Sequence, residues 1–136
     1  MKIGSSIPLL FIILVIYNLI ALVFGAQTQE TLNRVIISHT MNTGALFALT
    51  VNDLLILSGI VLLYFEIFKS TSSLNATIFD HVLSLMVFLA FLLEFIFVAP
   101  LTCAPFLIVG MMSLLDVMAG LTVSITAARR DFGIEK

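Results

Sequence analysis

Acids and amides embedded in apolar stretches are the residues of this chain with the capacity for chemistry. An ionised carboxylate in apolar surroundings is costly, and neighbouring carboxylates repel each other. We therefore expect part of this group to be protonated at neutral pH or to hold a cation. A structural role, a proton- or cation-coupled site and a surface for a partner's helix or a lipid head group all remain open. The group comprises Asn18, Asn52, Asp53, Glu94 and Asp116.

Four apolar stretches must position these residues, and each is about as long as an α-helix that crosses about 30 Å of hydrocarbon. The composition agrees, since 61% of the chain is hydrophobic and only 10% is charged. The sequence predicts an all-α fold, a membrane-spanning up-and-down four-helix bundle in one transmembrane domain, residues 1–136. The predicted spans are about 7–24, 45–68, 77–98 and 106–127, with an external loop over 25–44.

The long loop after the first span is predicted to carry a short helix on the membrane surface. Leu32, Val35, Ile36 and His39 recur there at helical spacing. The first span itself is predicted to be retained, because its apolar run is long for a signal peptide and ends at the bulky Phe24.

Lysine and arginine placement predicts the orientation. With the N-terminus in the cytoplasm, five basic residues face inward and only Arg34 faces outward. The inward set is Lys2, Lys69, Arg129, Arg130 and Lys136. We expect a multi-pass protein of the inner (plasma) membrane with both termini in the cytoplasm.

Depth along the spans is estimated from the helical rise of about 1.5 Å per residue. On that estimate, each span places at least one of these acids and amides at a similar depth, in a layer between the outer membrane surface and the middle of the bilayer. The layer comprises Asn18, Asn52, Asp53, Glu94 and Asp116. Helical phase on the fourth span also places Ser113, Gly120 and Ser124 in one stripe with Asp116. Small residues let another backbone approach closely, so this stripe is predicted to face protein.

A second polar group is expected at the cytoplasmic end, where it includes Glu66, Asp80 and His81. Lys69 balances the charge and water is near, which favours an interfacial salt-bridge belt. His81 beside Asp80 also has the chemistry to relay protons toward the acid layer, because histidine titrates near physiological pH.

Several other functions lack their sequence signals. Cys103 is the only cysteine, so it forms no intrachain disulfide and no cysteine-based metal site. There is no phosphate-binding glycine loop and no nucleophile elbow. A net charge of -2 without a basic run gives no basis for nucleic-acid binding. We expect no enzyme activity, no cofactor and no metal.

The segment Ser113-Leu-Leu-Asp116-Val-Met-Ala-Gly120, continuing to Asp131, resembles short four-span bacterial inner-membrane proteins of uncharacterised activity. The resemblance covers about the last two spans and implies an inner-membrane location. The sequence thus predicts an accessory or assembly subunit or a homo-oligomer, whose partners are the lipid bilayer, other membrane subunits or itself. The alternative is a small proton- or cation-coupled carrier that uses Asp53, Glu94 and Asp116.

Overall fold

The computed structural model describes residues 7–72 and 78–132, and this part of the chain is mostly helical. Four helical segments are long and apolar enough to cross a membrane, the first of them over Leu10–Leu32, which confirms the prediction of four such helices. The predicted start of the third span at Thr77 and the basic residues Lys2 and Lys136 lie outside the described residues. In chain order the elements are α1 (Leu10–Phe24), α2 (Thr28–Leu32), β1 (Val35–Thr40), β2 (Leu46–Thr50), α3 (Val51–Ser72), α4 (Ile78–Phe97) and α5 (Ala104–Phe132), with 3₁₀ turns at Gly25–Gln27 and Ala99–Leu101.

Proline and glycine set several of the helix limits. α1 begins just after Pro8 and ends at Gly25, whose φ of 50° is a left-handed conformation that favours glycine. Pro105 lies in the first turn of α5, where its missing N–H removes no helical hydrogen bond.

The helix α5 is central to the packing, because it contacts α3 on one side and α4 on the other, while α1 packs more loosely across all three. Three buried aromatic rings join α1, α4 and α5. The Phe106 ring centroid lies 5.0 Å from that of Tyr17 and 5.2 Å from that of Phe91. We call Tyr17, Phe91 and Phe106 the aromatic cluster.

A β-hairpin replaces the predicted surface helix, so the prediction of that helix is wrong. The prediction of an all-α fold is confirmed only in part, because the chain is mostly helical but also has this small two-stranded sheet. β1 and β2 pair antiparallel, with Ile37 opposite Leu49. The connection Asn42-Thr43-Gly44 forms a tight turn in which the Gly44 N–H donates to the Met41 carbonyl at 2.8 Å. Gly44 has a φ of 83°, which suits the last position of a three-residue hairpin loop. β-branched residues in β1 favour the strand.

The hairpin also changes where the second apolar helix begins. Residues 45–50, predicted as its first turns, belong mainly to β2, and α3 starts at Val51. Asn52 and Asp53 therefore lie in the first turn of α3 and not about two turns inside it.

The two ends of the packed helices are covered by different elements. We call the end with the hairpin the hairpin end, and the opposite end, where α1 starts and α3 finishes, the Lys69 end. At the hairpin end α2 lies against the turn between α4 and α5, and the Gln29 Nε2 donates to the Pro100 carbonyl at 2.8 Å. Thr28, Leu32 and Leu101 are fully buried under this closure.

Candidate functional site

Asn18 and Glu94 form a polar pair between α1 and α4, about one turn from the hairpin end. The Asn18 Nδ2 donates to Glu94 Oε2 at 2.7 Å and to the Leu14 carbonyl at 3.0 Å. Both side chains are half-buried. They line the side of a groove with a volume of about 450 Å³ between the two helices.

Asn52, at the start of α3, is hydrogen-bonded to α1 and to the residue that follows α2. It is 2% exposed, and its Oδ1 accepts a hydrogen bond from the Tyr17 hydroxyl at 3.1 Å. Its Nδ2 donates to Asn33 Oδ1, also at 3.1 Å. This amide therefore fixes the start of α3 against α1 and against the residue that follows α2.

Asp53 is part of a capping box at the start of α3. Its Oδ2 accepts from the Thr50 N–H at 2.8 Å and from the Thr50 hydroxyl at 2.6 Å. The Asp53 N–H in turn donates to Thr50 Oγ1 at 3.2 Å. Reciprocal bonds of this kind satisfy backbone donors that a helix start leaves open. They give the Asp53 carboxylate a local structural role.

Asp116 lies near the Lys69 end, enclosed by α3, α4 and α5. It is 5% exposed, and the Ser84 hydroxyl hydrogen-bonds to its carboxyl. Glu66 and Lys69 lie close enough to act electrostatically on it. Its Oδ2 atom is buried and has no hydrogen-bond partner among the described residues.

Glu66 connects α3 to the start of α1. Its Oε2 accepts from the Leu9 N–H at 2.7 Å, and its Oε1 accepts from Lys69 Nζ at 3.1 Å. A carboxylate at the N-terminus of a helix satisfies an open donor and interacts favourably with the helix dipole. The lysine offsets its charge, although the Glu66 side chain is only 9% exposed.

His81 packs against the small-residue stripe of α5. Its Nε2 and the Ser124 Oγ are hydrogen-bonded at 2.7 Å. Gly120 leaves room for the ring, because a Cβ built there would lie 3.0 Å from His81 Nδ1. Farther along the stripe Ser113 is 1% exposed, so this face of α5 lies against protein. Asp80, next to His81, is half-buried at the start of α4.

The structure thus places the five residues of the expected layer in separate settings. Asn18 contacts Glu94, whereas Asn52 and Asp53 bind neighbours at the start of α3. Ser84, the α4 residue at Asp116, lies ten positions from Glu94, which is about 15 Å along a helix. The aromatic cluster and Val109, which is fully buried, lie between Asp116 and the hairpin end.

No metal centre is apparent among the described residues, since none of their His, Cys, Asp and Glu side chains form a group of three or more suited to an ion. Cys103 is a free, half-buried thiol in the turn before α5.

Sequence reasoning missed several residues that complete these contacts. Thr50 precedes Asp53 by three positions, the spacing of a capping box, and this was the available signal. Tyr17 and Ser84 are polar groups on the faces of α1 and α4 that point inward, but no spacing rule pairs them with Asn52 or Asp116. Asn33 lies in the turn between α2 and β1, which the sequence assigned to a different structure.

Comparison of the chain with protein-family models, with curated proteins and with solved structures found no match.

Proposed function

We propose that this chain is an integral membrane protein whose four long helices cross the bilayer, with both termini in the cytoplasm. The outward faces support this, since large apolar side chains such as Leu22 and Phe97 are 82% and 77% exposed. Soluble proteins rarely leave extensive apolar surface in water. The excess of lysine and arginine on one side of the predicted topology supports the orientation and the inner membrane.

Within the membrane, the proposed role is that of an accessory or assembly subunit without catalytic activity. The groove between α1 and α4 is the observation that carries this proposal. The helix α5 is in extensive contact with α3 and α4. Between α1 and α4, in contrast, a cleft that includes the Asn18–Glu94 pair runs along two apolar helices. A polar pair in an apolar cleft is suited to holding a helix from another chain.

Purification in a mild detergent with mass spectrometric identification of co-purifying chains tests this role. Ala90 lines the groove, whereas Leu93, on the same helix, is 53% exposed and does not line it. Ala90→Phe fills the cleft and should release a specific partner, while Leu93→Phe adds the same ring elsewhere and should retain it. A partner that survives both substitutions, or a chain that purifies alone and monomeric, would contradict the proposal.

The homo-oligomeric form of the proposal is tested in the same preparation. If the groove accommodates another copy of this chain, light scattering should give a multimer of the 14.9 kDa chain. Ala90→Phe should then reduce the mass to that of the monomer, and Leu93→Phe should leave it unchanged.

A proton- or cation-coupled carrier is the second candidate, and Asp116 is the observation that favours it. Its buried Oδ2 atom has no hydrogen-bond donor among the described residues, so a proton or a bound cation would satisfy this oxygen. Asp53 is less suited to the role that the sequence suggested, because its carboxylate is engaged in the cap.

Transport assays separate the two candidates. Asp116→Asn preserves the shape of the side chain and removes the titratable group. If the protein is a carrier, purified protein in vesicles should show a proton or sodium flux that Asp116→Asn abolishes, while its melting temperature is retained. If it is an accessory subunit, wild type and variant should both show only the leak of protein-free vesicles.

A further inference from the structure

The groove between α1 and α4 follows both helices over about three turns. On α1 it is lined at helical spacing by residues from Phe11 to Leu22, with Ile7 and Pro8 just before the helix start, and on α4 by residues from Leu83 to Glu94. Eleven positions along a helix correspond to about 16 Å. Ala90 lines both halves of the groove, and its small side chain allows another backbone to approach.

Glu94 gives this groove a chemical preference. The Asn18 Nδ2 carries two hydrogens, and the structure uses one for the Leu14 carbonyl and the other for Glu94 Oε2. Asn18 therefore has no donor left for Glu94 Oε1. Among the described residues this carboxylate is bonded to Asn18 and is not paired with a basic side chain.

Another copy of this chain does not supply the missing charge from within its helices. Its spans carry no lysine, arginine or histidine near the depth of Glu94, because Lys69 and His81 lie toward the opposite end. Two copies that met groove to groove in parallel would bring one Glu94 toward the other, and like charges in hydrocarbon repel. A different chain with a positive charge is complementary.

We infer that the groove binds a transmembrane helix of another protein that places a lysine or arginine about one turn inside the hairpin end, against Glu94. This inference rests on the proposed role as an accessory subunit and specifies the chemistry of its partner. The basic group would donate to Glu94 Oε1, and the apolar walls would pack along the remaining turns of the helix. Buried acidic and basic residues of membrane helices commonly pair in this way.

Defined peptides test the inference without knowledge of the natural partner. The full chain, labelled with a fluorophore at Cys103, its only cysteine, is placed in phosphatidylcholine vesicles. Energy transfer is measured to labelled Leu/Ala transmembrane peptides that carry Lys, Leu or Glu one turn from an end. We expect the Lys peptide to bind about tenfold more tightly than the Leu peptide, a range typical of polar contacts between membrane helices.

Substitutions of Glu94 give the specific readout. Glu94→Gln should reduce the preference for Lys to near onefold, and Glu94→Lys should reverse it in favour of the Glu peptide. Asp116→Asn is the matched control, because it also removes an acid from a span but lies away from the groove, and it should leave the preference unchanged. Circular dichroism of each variant confirms that the helices are retained.

Equal binding of the Lys and Leu peptides to the wild-type chain would overturn the inference. So would a preference that persists in Glu94→Gln, or a groove occupied by a second copy whose association depends on the exposed Arg34. If a natural partner co-purifies and Ala90→Phe releases it, but Glu94→Gln does not weaken its binding, the accessory role stands and only the partner chemistry is wrong.

Discussion

Gly120→Ala should destabilise the protein by about 1 kcal/mol, even though alanine is the better helix former. A Cβ at this position would lie 3.0 Å from His81 Nδ1 and 3.2 Å from His81 Cε1. The ring has little freedom to move, because its Nε2 is hydrogen-bonded to Ser124 at 2.7 Å. Overpacking of this kind costs about 1–3 kcal/mol, and the higher helix propensity of alanine offsets about 1 kcal/mol of it.

Gly59→Ala is the matched control for this prediction. A Cβ at Gly59 would come equally close to a neighbour, at 3.1 Å, but that neighbour is the terminal methyl group of Met112. A methionine side chain is flexible and adjusts readily to a small added group. The higher helix propensity of alanine should therefore outweigh the close contact with Met112, and Gly59→Ala should stabilise the protein by up to about 1 kcal/mol.

Reversible unfolding in mild detergent, followed by circular dichroism, measures both changes. A double-mutant cycle identifies the cause, because Ser124→Ala releases the His81 ring. We expect Gly120→Ala to cost at least about 0.5 kcal/mol less in that background. Gly120→Leu, in turn, should destabilise the protein more than Leu121→Ala, since Leu121 is exposed. Stabilisation by Gly120→Ala, or strict additivity with Ser124→Ala, would refute the reasoning.

Three further predictions use other contacts in the structure. Thr50→Ala removes the reciprocal cap at Asp53 and should lower the free energy of unfolding by about 1 kcal/mol in the same assay, an expectation that a neutral result would contradict. Glu66→Gln replaces a charged acceptor of the Leu9 N–H and should cost about 1–3 kcal/mol, so an unchanged free energy of unfolding would contradict the role of this bond. Reporter fusions after Lys136 should be active in the cytoplasm, and an active periplasmic reporter there would invert the orientation.

The long helices were predictable because their signal is length and composition, which the packing does not alter. The hairpin was missed because Val35, Ile36 and His39 also fit a helical period over a short window. The decisive local signal was the turn Asn42-Thr43-Gly44 between two runs rich in β-branched or large apolar residues. A glycine at a position that requires a positive φ carries more information here than the periodicity does.

The positions of the polar side chains were less predictable, because depth was counted from assumed helix ends. β2 contains five of the residues that were assigned to the second span, four of them apolar, so Asn52 and Asp53 moved to the helix start. Depth also says nothing about which neighbour a side chain faces. Asn18 and Glu94 met because α1 and α4 are adjacent, whereas Asp116 faces Ser84 and Glu66 inside the packing of α3, α4 and α5.

Hydrogen-bond capacity separates the polar residues that complete the fold from those that remain available for chemistry. Asn52 and Asp53 each use their side chains on neighbouring elements. Glu94 and Asp116 each retain an oxygen without a donor among the described residues. Glu94 opens toward the groove and Asp116 is enclosed, with roughly 15 Å of helix between their levels. A carrier that used both acids would have to move a charge over that distance, whereas the proposed helix docking at Glu94 requires no such movement. The separation of the two acids makes Glu94 and Asp116 independent experimental targets, so substitutions at each test one proposal without disturbing the other.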